Sequence, residues 1–232
     1  MYNKYIFINN NRRKKKMEEE NKKAEDTQIS FDMLQQPNSL QEKDMPNKIS
    51  WKNKKSKNLM RFVDDYVLVD IETTGLSPIN DDIIEIGAIK VENNKMVDTY
   101  SQLININRSL PPFITNLTGI TDEMIKTGKM PMDVYQEFID FVGENVIIGH
   151  NVNFDLGFLC NKCKKYLNYN LANDYIDTLF LARRLVPNSI NYKLGTLANL
   201  FHISYEGAHR GLKDVEITFE VYNELRKISL QK

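Results

Sequence analysis

The chain has 232 residues, 41% of them hydrophobic, and its 31 basic side chains balance 31 acidic ones. That length and apolar content suit one globular domain with an appendage and exclude a wholly disordered chain, while no apolar run approaches the roughly 20 residues of a spanning helix. The charge is unevenly shared: residues 1–61 carry 15 basic and 8 acidic side chains, and the remainder carries 16 and 23.

At the N-terminus a weak apolar patch, Tyr5 to Ile8, precedes the basic run Arg12 to Lys16. This is the reverse of a secretory signal, so a cytoplasmic location is expected. Residues 1–61 are rich in Lys, Asn, Glu and Gln, are interrupted by Pro37 and Pro46, and lack sustained apolar periodicity. They read as a charged, flexible tail, with one exposed helical stretch between Arg12 and Asp26. Such a tail is either simply solvated or a basic tether toward phosphate backbones. The folded domain is expected over 62–232.

The pattern changes at Tyr66. The nearly continuous apolar run Tyr66 to Ile71 predicts a buried strand, and Ile83 to Glu92 predicts a second. Asn93-Asn94 offers a tight turn into a third strand, Lys95 to Ile104, which completes a three-strand meander. Pro111-Pro112 then break the chain, and Thr121 caps a short helix with Asp122 and Glu123 in its first turn. Met132 to Val142 has helical spacing, Val146 to Ile148 is a buried strand, and Phe154 to Leu167 is a helix. Tyr175-Ile176 marks a short strand before helices over Leu179–Leu185 and Leu194–Phe201. A last helix is expected from about Ala208 to Ile228. A meander followed by alternating helices and strands predicts an α/β fold with a mixed central sheet flanked by helices. Cys160 and Cys163 lie in mid-helix, so they read as ordinary thiols rather than half a zinc site or a redox pair.

Four acidic positions stand out. Asp70 and Glu72 bracket Ile71 at the end of the first strand, so both carboxylates project from one face just before Thr73-Thr74-Gly75 turns the chain. Two like charges so close repel unless a cation lies between them, and oxygen ligands select Mg²⁺ or Mn²⁺ over zinc. Asp155 follows the strand-to-helix turn Gly149 to Asn153, with Asn153 expected as the helix cap; alone, it would do no more than complement the helix dipole. Asp214 follows His209 by five residues, a rotation of about 140° beyond one turn, so the two share a side only loosely.

Taken in order, Asp70-x-Glu72, Asn153-Phe154-Asp155 and His209-x-x-x-x-Asp214 resemble the signature of the DnaQ-like, or DEDDh, exonuclease family, and most closely its PolC-type, polymerase III epsilon-like branch. The segments VDIETTGLSP, DDIIEIGAI, NLTGITDEMI, GHNVNFDLGFL and YKLGTLANLF support the resemblance over about Val63 to Glu224. HRGLKDV departs from the more usual HRALDDA, but it keeps the histidine and the acid. The resemblance implies a ribonuclease H-like fold and 3′→5′ release of nucleoside 5′-monophosphates. It implies that Asp70, Glu72, Asp155 and Asp214 hold two divalent ions, Mg²⁺ or Mn²⁺, that clamp the attacking and leaving oxygens. His209 would be the general base. An acidic domain would then accept a polyanion because its carboxylates are neutralised by metal.

The same resemblance sets Thr73, Thr74, Gly75 and Leu76 at the terminal nucleotide. Leu76 and Ile120 are either wedges against its base or ordinary core residues, and Asn151, Asn153 and Phe158 are candidate neighbours of the strand. The implied partner is a single-stranded or frayed 3′ end, DNA in preference to RNA, with any polymerase supplied by another chain. Two readings compete. DIETT faintly resembles the D-x-D-x-T loop of aspartyl-phosphate phosphatases, but position 72 is Glu. A non-catalytic interaction module would be expected to have lost a metal ligand, and none is missing.

Overall fold

The computed structural model describes residues 56–207 and 210–231. Five strands form one sheet in the order β3-β2-β1-β4-β5. They are β1 (Tyr66–Thr73), β2 (Ile83–Glu92), β3 (Lys95–Leu103), β4 (Val146–Gly149) and β5 (Tyr175–Asp177). The first three pair antiparallel as the predicted meander, whereas β4 runs parallel to β1 and β5 parallel to β4. Asn93 and Asn94, both at positive φ, make the β2–β3 turn, as the Asn-Asn pair predicts.

Seven helices accompany the sheet among the described residues: α1 (Pro112–Thr118), α2 (Asp122–Lys126), α3 (Pro131–Val142), α4 (Asn153–Leu167), α5 (Thr178–Leu185), α6 (Leu194–Leu200) and α7 (Gly211–Leu230). The sequence reading of Pro111-Pro112 as a break misses α1. Proline at the first helical position loses no hydrogen bond, and Pro112 sits there. Thr121 caps α2 as expected, accepting from the Met124 N–H, an interaction worth about 1 kcal/mol. Asn153 does not cap α4. It is the first helical residue, and its side-chain amide donates to Asp177 instead.

Strand alternation divides the core in two. Val67, Val69 and Ile71 of β1 pack with α3 and α4 through Phe138, Leu156 and Phe158. Tyr66 and Leu68 face the other way, against α5–α7 through Leu181, Val215 and Tyr222. A smaller cluster of Ile84, Leu110, Ile114, Ile120 and Ile125 lies under α1 and α2. Of the expected tail, residues 1–55 fall outside the described region. Within it, Lys57 to Leu59 run alongside β5, the Leu59 N–H donating to the Tyr175 carbonyl at 2.7 Å and the Tyr175 N–H to that of Lys57 at 2.9 Å. No helix among the described residues is long and apolar enough to cross a membrane.

Candidate active site

Asp70 and Glu72 continue the side of β1 that starts with Tyr66 and Leu68, so they point toward α7. On β2 their antiparallel partners are Gly87 and Glu85. The register shifts between Glu72 and Thr73, and there the strand gives way to a turn. Helix α7 crosses this end of the sheet with Asp214 in its first turn. It approaches closely because two glycines meet: a Cβ on Gly87 would lie 2.2 Å from the Gly211 carbonyl carbon.

As a result Asp70, Glu72 and Asp214 each offer a carboxylate oxygen within 4.8 Å of the others. Burial raises the Asp70 carboxyl well above its usual range, and the charges of Asp155, Asp214, Glu72 and Glu85 add to the effect. Burial likewise raises Glu72, helped by Asp214, Glu85 and Asp155 and opposed by Arg210. Such a cluster binds protons tightly until a cation takes their place.

Asp155, expected as the fourth acid, is not one of these three and is placed beside them by a different contact. β4 pairs with β1 only as far as Leu68, so the Ile71 N–H, beyond the end of β4, has no strand to bond to. The Asp155 carboxylate takes that ladder position, accepting from the Ile71 N–H at 3.2 Å, between the two acids of β1. Asp155 is buried, and its own carboxyl is raised by burial, against the pull of hydrogen bonds from its own N–H and that of Ile71. His209, the expected base, lies outside the described residues.

The turn that follows β1 is held from three sides. Thr73 Oγ1 donates to the Gly75 carbonyl, and Thr74 exchanges bonds with Asp82 through its N–H and its hydroxyl. Arg108 donates to Thr74 Oγ1 at 3.1 Å and to Asp82 Oδ2 at 2.7 Å. The ammonium of Lys162, only 1% exposed, donates to the Asp81 carbonyl and to Asp82 Oδ1. Thr73 and Thr74 are buried, while Gly75 and Leu76 keep some surface. Asn151, at positive φ, and Asn153 both bond Asp177, the buried cap of α5. Ile120 and Phe158, expected beside a strand, expose no surface: they are core residues, Ile120 under α1 and α2 and Phe158 under α4.

Sequence reasoning missed Glu85, Arg210, Asp177 and the Asp82–Arg108–Lys162 group. For Glu85 a signal exists, since one carboxylate interrupts the otherwise apolar run Ile83 to Ile89. The donor set suits a hard divalent cation. The three clustered groups supply oxygen only, and their charges need one to coexist.

A family model described as exonuclease, of the ribonuclease T type, matches residues 67–222. The PolC-type DNA polymerase III of Caldanaerobacter subterraneus subsp. tengcongensis is 43% identical over 158 residues, which cover 68% of this chain and 11% of the relative. That of Bacillus subtilis is 39% identical over 168 residues, 72% of this chain and 12% of the relative. The chain thus spans about a tenth of the length of these curated relatives. Among solved structures, E. coli exonuclease I in complex with a dT13 oligonucleotide superposes with a TM-score of 0.63 at 19% identity, covering 73% of this chain and 42% of that one. Exonuclease X in complex with 5′ overhanging duplex DNA gives 0.57 at 26% identity, covering 71% and 92%.

Proposed function

The chain belongs to the DnaQ-like exonuclease family, and from that premise we propose that it hydrolyses DNA stepwise from single-stranded or frayed 3′ ends, releasing nucleoside 5′-monophosphates. The observation that carries this reading is the meeting of Asp70, Glu72 and Asp214 oxygens within 4.8 Å at the end of β1. Asp155, tied to the backbone between the first two, is the fourth ligand.

Two Mg²⁺ or Mn²⁺ ions bound by these acids would acidify the attacking water and stabilise the leaving 3′-oxygen. The protein's own groups do the rest. β1 and α7 hold the carboxylates at fixed separation. The turn Thr73 to Leu76, pinned by Asp82, Arg108 and Lys162, presents backbone groups and the Leu76 side chain to the terminal nucleotide. Asn151 and Asn153 border the same end of the sheet. His209, which precedes the α7 cap by one residue, takes the proton of the attacking water. Support for DNA comes from the relatives, which are DNA polymerases, and from the DNA-bound structural neighbours. A polymerase is the natural partner for such an activity, which would serve proofreading or repair.

The test is digestion of matched 5′-labelled DNA and RNA strands with Mg²⁺, Mn²⁺ or EDTA. Expected is a ladder shortening from the 3′ end of DNA with either metal and none with EDTA. Shortening that persists in EDTA would refute the metal-dependent reading. Faster shortening of RNA would turn the assignment to RNA trimming. An inert protein in saturating Mn²⁺ would make it an interaction module.

A further inference from the structure

Glu85 is a further carboxylate beside the cluster, and both of its oxygens accept bonds from other groups. It lies opposite Glu72 in the β1–β2 ladder, where like charges destabilise, and only 2% of it is exposed. A buried charge in such a place is retained only with strong partners. Among the described residues its hydrogen-bond partners come from the start of α7. Arg210 Nη2 donates to Oε1 at 2.8 Å and Nε to Oε2 at 3.2 Å, a two-point grip. The Gly211 N–H donates to Oε2 at 3.0 Å.

These bonds replace an ordinary cap. Arg210 is the N-cap of α7, and its own side chain makes no capping bond. An orphan N–H of the helix is satisfied by Glu85 from the sheet. Asp214 lies one turn on, its N–H bonded to the Arg210 carbonyl at 3.0 Å. Two residues along β2 from Glu85, Gly87 lets the Gly211 backbone approach the same face of the sheet.

We propose that Glu85 and Arg210 are positioning residues for the metal cluster: the Glu85 carboxylate clasps the Arg210 guanidinium and the Gly211 N–H, fixing where α7 begins and thus where Asp214 meets Asp70 and Glu72. This rests on reading those acids as metal ligands. Arg210, with 45% of its side chain exposed, holds the helix through Glu85. Both residues act on the cluster through the position of α7.

The experiment titrates Mn²⁺ calorimetrically into the full chain and into Glu85→Gln, Arg210→Gln, Arg210→Lys and the Glu85→Gln/Arg210→Gln double variant, with folding checked by circular dichroism. A latch predicts that both single Gln variants weaken Mn²⁺ binding in the same direction, by about tenfold. It also predicts that the double variant is no worse than the weaker single, because one contact is lost only once. At saturating Mn²⁺ the kcat of the single variants falls while KM for the oligonucleotide holds. Arg210→Lys recovers part of the loss.

A pure charge effect predicts opposite signs, since Glu85→Gln removes a negative charge and Arg210→Gln a positive one. That pattern would overturn the proposal. So would a rise in KM alone for Arg210→Gln, which would make it a substrate contact. If Glu85→Gln does not fold, the exposed Arg210 variants carry the test by themselves. Unchanged Mn²⁺ affinity in folded variants sinks the latch only, whereas a wild-type chain that binds no Mn²⁺ sinks the metal site beneath it.

Discussion

Gly87→Ala tests whether close approach of α7 to the sheet makes the site. The added methyl would lie 2.2 Å from the Gly211 carbonyl carbon, 2.4 Å from the Leu212 nitrogen and 2.6 Å from the Gly211 oxygen. Non-bonded carbons rest at about 3.5 Å, so the start of α7 must retreat by about 1.3 Å. All three atoms are backbone, so no side chain can swing aside. Overpacking of this kind costs about 1–3 kcal/mol, which is roughly 2–12 °C in Tm for a chain of this size. The effect on chemistry should be larger, since a misplacement of about 1 Å costs on the order of a hundredfold in rate. Initial rates of 3′ shortening at saturating Mn²⁺, beside a thermal melt, measure both. Gly157→Ala is the control: on α4 its Cβ would meet only Pro78 Cγ at 3.5 Å, and it should gain about 0.5–1 kcal/mol of stability and keep its rate. A Gly87→Ala protein within twofold of the wild-type rate would show that the glycine contact does not set the position of Asp214.

Three other outcomes are expected. Mn²⁺ at a hundred times its dissociation constant should stabilise the chain by about 2.7 kcal/mol, seen as a rise in Tm of roughly 5–11 °C that EDTA reverses and that Asp70→Asn diminishes together with hydrolysis; an Asp70→Asn protein with the full shift would remove Asp70 from the site. His150 is pushed down to about 4 by burial, its ring held between Thr178 Oγ1 and the Tyr192 carbonyl. Its folded pKa lies below the unfolded value of 6.5, so its contribution is complete above that value and is lost as pH falls toward 4. The loss reaches about 2 kcal/mol by pH 5, and urea midpoints at pH 7.5 and 5 should separate wild type from a flatter His150→Gln. Lys162→Met should cost about 2 kcal/mol by leaving the Asp81 carbonyl and Asp82 without their buried donor, and should raise KM as the turn after β1 loosens; an unchanged KM would detach that turn from substrate binding.

Much of the fold is legible because strand periodicity and turn chemistry agree. Tyr66 to Ile71, the Asn93-Asn94 turn and the short strand at Val146 each carry a local signal strong enough to survive tertiary context. Asp70 and Glu72 are legible for the same reason, since two residues along a strand must share a face. What could not be read is what depends on contacts between distant segments. Nothing local says that β4 stops short, so the Ile71 N–H is left for Asp155. Nothing local says that Glu85 turns toward the start of α7, or that Lys162, on a helix face that reads as charged and solvated, is buried beside Asp82. Ile120 and Phe158 look like contacts for a strand because they lie in characteristic segments, yet apolar side chains next to a site more often support it from beneath. Pro111-Pro112 misleads because proline both ends and begins helices, and only the residues after it decide which.

The last helix of the described chain carries one of the acids, while two others stand on the first strand. Nearly the whole domain must therefore be synthesised and docked before catalytic competence exists. Any excursion that lifts the start of α7 from the sheet disperses the cluster. Folding intermediates and locally opened molecules should be unable to shorten nucleic acid, even while most of the sheet is intact. Amide exchange at the start of that helix would report the fraction of molecules that are switched off at any moment.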